Sequence, residues 1–211
     1  MRQAVAQALR EHARFHKCRE VREEINYDQE GMVQQLRIAL QGEDGSERGK
    51  LTPSQLTVYQ AVKAAIEGRS GTKQIFLDAR GGTGKTYLMN RLLSYVRTLD
   101  PDSIALAVAF TGIAAQLLQG GRTYNARFTF PINGGSTTTC SISKGTGLAK
   151  CIEKSKMIVW DEAPMSNKIL LEALNRLLKD LMDNKQPFGG KVIVLAGDFR
   201  QLPTIIQRVD I

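Results

Sequence analysis

The 211-residue sequence is 42% hydrophobic and 24% charged, with a net charge of +8, a profile typical of a globular protein with one domain and an appendage. Its longest unbroken apolar run, at 104–110, has seven residues, far short of the ~20 of a membrane helix, so no membrane partner is expected. Three cysteines (Cys18, Cys140 and Cys151) form no CxxC pair, which argues against a zinc or disulfide framework and for a reducing compartment.

In chain order, residues 3–25 and 28–40 are rich in Ala, Gln, Glu, Arg and Leu and are expected as helices of an N-terminal segment spanning 1–40. They hold no apolar core of a secretory signal, and Glu11, Glu20, Glu23 and Glu24 argue against a mitochondrial presequence. The polar, glycine-containing QGEDGSERGK at 41–50 is expected as a linker. Charge divides near the same place. Residues 1–50 hold nine basic and nine acidic residues, whereas 51–211 hold 20 basic and 12 acidic. A basic domain favours a polyanionic partner, and ordinary solubility charge is the plain alternative.

The domain at 51–211 opens with LTPSQLTVY, in which Thr52, Pro53 and Gln55 fit a helix capping box. Gln55 is either structural there or reads an adenine edge with its amide. Short apolar runs at 74–77, 104–110, 157–160 and 192–196 then alternate with helical patterns at 85–99, 112–118, 147–155 and 167–183. The runs do not alternate in polarity, as expected for strands covered on both faces. Strands alternating with helices imply an α/β fold with a parallel sheet flanked by helices. Ligands in such a sheet bind beyond the carboxyl ends of the strands.

Chemistry-bearing residues follow those ends. After the first run stands Ala79-Arg80-Gly81-Gly82-Thr83-Gly84-Lys85-Thr86, a phosphate-binding loop whose usual opening Gly is Ala79. The amides of Gly81, Gly82, Thr83 and Gly84 would cradle phosphates. Lys85 would bridge the β- and γ-phosphates of ATP, and the Thr86 hydroxyl would join the shell of Mg²⁺. Ala79 is costly only if its φ is positive. After the third run come Asp161 and Glu162, expected to hold Mg²⁺ and to polarise the attacking water, respectively. After the fourth comes GDFRQLPTI, where Gln201 is the candidate sensor of the γ-phosphate. The stretch FTGIAAQLLQGGRTYNARFTFPI at 110–132 offers Arg122 and Arg127 to phosphates and Tyr124 or Phe128 to bases of single-stranded nucleic acid. Core packing is the competing reading for its aromatics.

Together, LTPSQLTVYQAV, FLDARGGTGKTYL, IALAVAFTGIAAQLLQGGRTYNARF, IVWDEAPM and PFGGKVIVLAGDFRQLPTI closely resemble the PIF-type (petite integration frequency) DNA helicases of superfamily 1B, and most nearly their Helitron transposon branch. The resemblance runs from about residue 21 to 211. It implies a RecA-like P-loop NTPase domain, the first of two motor domains, using ATP and Mg²⁺ to move 5′ to 3′ on single-stranded DNA in recombination, repair and telomere maintenance, with nuclear localisation. By motif, Lys85, Glu162 and Gln201 match the catalytic residues, Thr86 and Asp161 the metal residues, and Gln55 the adenine reader. Thr111, Gly112, Asn125, Arg127 and Phe128 match the strand-contacting segment. The pattern departs at Ala79-Arg80, at Phe110-Thr111, and at Asn125, where His is usual. The sequence given ends just after the third motif, so a second motor domain with its arginine finger would come from the full-length protein or a partner chain. An arginine finger contributes about 10³–10⁵-fold to turnover in P-loop enzymes, so this chain alone is expected to bind ATP and DNA without unwinding. A non-catalytic DNA-binding remnant of a transposon helicase is the alternative.

Overall fold

The structure, a computed structural model, describes residues 50–100, 102–130 and 140–201. The helices expected at 3–25 and 28–40, and the linker at 41–50 apart from Lys50, lie outside the described residues. So does the last part of GDFRQLPTI, from residue 202 onward.

Helix α1, Pro53–Ile66, opens the domain. The Thr52 hydroxyl accepts from the Gln55 amide at 3.3 Å, and the Thr52 amide donates to Gln55 Oε1 at 3.0 Å. The capping box is therefore complete, and Pro53 stands in the first turn where its missing N–H is not needed. Strand β1 (Gln74–Asp78) leads through the glycine loop into helix α2 (Lys85–Arg97). Strand β2 (Ala105–Ala109), helix α3 (Gly112–Leu117), strand β3 (Arg122–Thr123) and helix α4 (Tyr124–Phe128) follow. Helix α5 (Gly147–Lys154), strand β4 (Met157–Asp161), helix α6 (Lys168–Leu181) and strand β5 (Val192–Gly197) complete the layers. Short 3₁₀ turns lie at Ala163–Met165, Pro187–Gly190 and Phe199–Gln201.

The five strands form one parallel sheet in the order β1-β5-β4-β2-β3. Strand β5 thus separates the strand of the glycine loop from the strand of the paired acids. The register levels the carboxyl ends: Asp78 lies opposite Gly197, Trp160 opposite Leu195, and Ala109 opposite Asp161. Whatever follows these four strands is delivered to one edge of the sheet.

Side chains alternate across each strand, so an unbroken apolar run feeds two cores at once. Ala107, Val159 and Val194 pack against Leu88, Leu92 and Val96 of α2. Val108, Trp160 and Ile193 pack against Ile152 of α5 and Leu174 and Leu178 of α6. Strands β2 and β4 are buried along their whole length, and each large side chain so placed contributes about 1.5–3 kcal/mol.

Two features differ from expectation. Strand β1 is not covered on both faces by the described residues: Gln74, Phe76 and Asp78 are exposed, and the Phe76 ring packs beside that of Phe199, 5.1 Å between centroids. In addition, β3 and α4 lie in the stretch after 118, for which no regular element is expected. A two-residue strand held by pairing of Val108 with Arg122 and Ala109 with Thr123 carries no periodicity of its own, so tertiary pairing creates it.

Candidate active site

The glycine loop is built by its backbone. The Ala79 amide donates to Gly197 O at 3.1 Å, which extends the β1–β5 ladder one residue into the loop. The chain then turns back: the Thr83 hydroxyl donates to Arg80 O at 2.7 Å. Gly82 and Gly84 sit at φ 77 and 82, in the left-handed region that L side chains rarely enter. Ala79 is not among the described non-glycine residues with positive φ, so the methyl that replaces the usual glycine costs the backbone nothing. Gly84 caps α2 without a side-chain hydrogen bond, which leaves the first amides of that helix oriented toward an anion.

Three side chains brace this loop. Gln55 Nε2 donates to Thr83 O at 3.1 Å, so the same amide completes the α1 cap and ties α1 to the loop. Lys85 Nζ donates to Ala79 O at 2.5 Å and to Arg80 O at 2.9 Å, spanning the loop from beneath. The Gly81 amide donates to Asp198 Oδ2 at 3.2 Å. Asp198 was legible in the sequence only as a strand-end acid without a role, and the structure makes it the anchor between β5 and the loop. Its Oδ1 accepts the Arg200 amide at 3.0 Å and Arg200 Nη1 at 3.3 Å, and Arg200 Nη2 reaches Asp78 Oδ2 at 3.5 Å. Burial acts to raise the Asp198 carboxyl, but the Arg200 and Gly81 amides and the Arg200 guanidinium outweigh it and hold it below the usual carboxylate range.

From β4 come the paired acids. Asp161 is 6% exposed. Burial and the neighbouring Glu162 charge push its carboxyl up, while the Glu162 amide, at 2.8 Å from Oδ1, and the Lys85 ammonium pull it down; the net direction is up. A cation at that oxygen reverses such a shift. Glu162 adopts a left-handed backbone at φ 55, a strained state for a non-glycine residue. Its Oε2 accepts the Thr111 hydroxyl at 2.8 Å and the Thr111 amide at 3.2 Å. The turn after Glu162 passes directly over β5: a Cβ at Gly197 would lie 2.2 Å from Pro164 Cδ, so only glycine admits the contact.

These elements enclose a cleft of about 440 Å³ lined by Gly84, Lys85, Thr86, Asp161, Glu162 and Gln201. Gln201 reaches the loop as well, since a Cβ on Gly81 would lie 2.8 Å from its Nε2. The expected nucleotide residues therefore converge. The donor set suits a triphosphate and a hard cation: backbone amides, one ammonium, a hydroxyl and a buried carboxylate. Among the described residues no cluster of three or more His, Cys, Asp or Glu side chains is placed to hold a metal. Magnesium held by Thr86 and Asp161 would thus complete its shell with phosphate and water, its usual habit.

The expected DNA residues do not all reach the surface. Thr111 and Gly112 begin α3 beside the cleft, and Asn125 is exposed on α4. Phe128 is 0% exposed and Arg127 2%, which corrects their expected contact with bases and phosphates. Arg127 Nη2 donates to Gly120 O at 3.4 Å. Tyr124 stacks on Phe110 and Trp160, with ring centroids 5.5 and 5.7 Å away, and Phe128 packs in the same cluster. Apolar burial wins for these rings.

Comparison with known proteins places this arrangement. The family model described as PIF1-like helicase matches residues 50–210. The ATP-dependent DNA helicase Pif1 of Bdellovibrio bacteriovorus is 34% identical over 158 residues, covering 74% of this chain and 33% of that protein. The human protein of that name is 30% identical over 159 residues, covering 74% and 23%. This chain therefore spans no more than about a third of these relatives. Among solved structures, Pif1 helicase from Candida albicans superposes with a TM-score of 0.58 at 27% identity, covering 74% of this chain and 34% of that one. Bacteroides Pif1 in complex with ADP-AlF3 and single-stranded DNA gives 0.61 at 22% identity, covering 75% and 34%, which supports the RecA-like fold. With the glycine loop, the paired acids and the β5 motif on one sheet edge, the chain belongs to the PIF1-like helicase family.

Proposed function

We propose that the chain is the first motor domain of an ATP-dependent DNA helicase that binds Mg-ATP in the β1–β4–β5 cleft and single-stranded DNA beside α3 and α4. The observation that carries this is the convergence of Lys85, Thr86, Asp161, Glu162 and Gln201 on one cleft. Lys85 and the loop amides bind and orient the phosphates, Thr86 and Asp161 hold magnesium, Glu162 takes a proton from water, and Gln201 senses the γ-phosphate. Names of the relatives support ATP dependence and DNA as partner. So does the excess of basic residues after position 50. Translocation from 5′ to 3′ and roles in recombination, repair and telomere maintenance belong to the same proposal.

The rim of the cleft fits a second domain closing over it. Ile113 and Leu117 of α3 are 78% and 60% exposed, and both line the opening. Exposed apolar residues at a polar site mark a surface that is covered in the working assembly. That domain would supply the arginine finger, from the full-length protein or a partner chain.

Titrating the purified chain with a fluorescent ATP analogue in magnesium, and with labelled oligothymidylate at low salt, tests the reading. The expected result is binding of both without duplex unwinding, with Lys85→Ala abolishing nucleotide binding and Glu162→Gln retaining it. DNA binding indifferent to nucleotide and to Lys85→Ala would instead favour the non-catalytic remnant.

A further inference from the structure

Glu162 is directed by one neighbour. Its Oε2 accepts both the hydroxyl and the amide of Thr111, and its backbone is left-handed at φ 55. Two donors on Oε2 fix the direction in which the carboxylate points, and with it where the remaining oxygen, Oε1, can meet a water. Thr111 in turn is the residue where β2 passes into α3. Its hydroxyl caps that helix, accepting from the Ala114 amide at 3.2 Å. One N–H and one O–H pointing at one anionic oxygen are also the donors that proteins commonly offer a phosphodiester. Carboxylate and DNA phosphate thus compete for a single donor pair.

We propose that Thr111 is a positioning residue that withholds Glu162 from the attacking water until a phosphate of single-stranded DNA takes over its two donors. The DNA half of this statement rests on the function proposed above; the Thr111–Glu162 pair is observed. Strand occupancy would then license hydrolysis through a side-chain rotation, with no larger motion of the domain.

The test is single-turnover hydrolysis of ATP, enzyme in excess, with and without oligothymidylate, alongside oligothymidylate binding by fluorescence anisotropy. Thr111→Val keeps the shape and loses the hydroxyl. Thr111→Asp keeps a side-chain cap for Ala114 and loses the side-chain donor to Glu162, leaving only the backbone amide. Both are expected to raise the DNA-free rate at least about tenfold, a part of the ~10²–10⁴-fold that a positioned base contributes, and to bring the DNA-stimulation ratio toward unity. Thr111→Ser, with both donors, restores the ratio. A purely structural cap predicts instead that Asp behaves as wild type, which overturns the proposal. It is also overturned if Val and Asp lower the rate equally with and without DNA, or if all variants stay at the Glu162→Gln blank. Loss of oligothymidylate binding in the wild type would sink the DNA reading alone, because the DNA-free rates still decide whether Thr111 restrains Glu162.

Discussion

Two glycines in one loop illustrate how differently a single methyl acts. Gly84 combines φ 82 with a would-be Cβ 2.7 Å from Gln55 Nε2. Alanine there forces an L residue into the left-handed region, at roughly 1–2 kcal/mol, and pushes Gln55 off Thr83. Gly81 has no positive φ, and its would-be Cβ meets only Gln201 Nε2 at 2.8 Å, the far end of a flexible side chain. Gly84→Ala is therefore expected to lower both the thermal midpoint and ADP affinity. Gly81→Ala should leave the unfolding free energy within about 0.5 kcal/mol of wild type and slow hydrolysis more than it weakens ADP binding. Calorimetric melting, ADP titration and single-turnover hydrolysis separate the two. Equal effects on all three would show that Gln201 does not stand over the loop in solution.

At the scale of elements, Gln55 ties the start of α1 to the glycine loop. Its Oε1 closes the α1 cap and its Nε2 holds Thr83 O, so a capping residue and a nucleotide-loop residue are one side chain. Gln55→Glu keeps the acceptor and removes the donor. The α1 cap, worth typically ~1 kcal/mol, should survive, so urea unfolding changes little while affinity for ATP analogues falls. Gln55→Ala should lose both. The elements themselves were legible where a pattern had a cause in local chemistry: the box at Thr52, the glycines at 82 and 84, and the unbroken apolar strands that lead to Asp161 and Asp198. What escaped was set by contacts distant in sequence. Strand β3 exists because β2 pairs with it, Phe128 and Tyr124 are claimed by Trp160 on a strand some thirty residues on, and the Asp198–Gly81 bond spans 117 positions. The Thr111–Glu162 pair, 51 positions apart, escaped for the same reason.

Across the whole molecule, the carboxyl ends of the strands carry the polar site, and the opposite end carries a buried cation that the site does not use. Lys191, just before β5, is 6% exposed and donates to Glu153 O at 3.0 Å and Ser155 O at 2.7 Å, closing the end of α5 onto the sheet. Burial pushes its amine down from the ordinary 10.5 to about 8, against the opposing pull of the Glu153 and Cys151 charges. Between those two values the unfolded chain binds a proton that the folded chain has released, so stability from this group rises with pH; it is lost again as pH falls through about 8. Tyr59 works in the opposite sense and in a later window. Burial, helped by Glu67, raises its phenol from 10.0 to about 12, so the folded chain keeps that proton longer and stability falls as pH climbs through this range. Urea unfolding of the wild type should therefore show a stability gain from about pH 8 to the ordinary 9.0 of a thiol, with a slope of at most about 1.4 kcal/mol per pH unit from one proton; above it Cys140, whose thiol burial raises to about 12, opposes the gain. Lys191→Met removes the proton and should flatten the gain in that window while leaving the Tyr59 decline above it. Parallel curves for the two proteins would mean that the ammonium at Lys191 is solvated in solution and that the end of the sheet opposite the cleft is open to water.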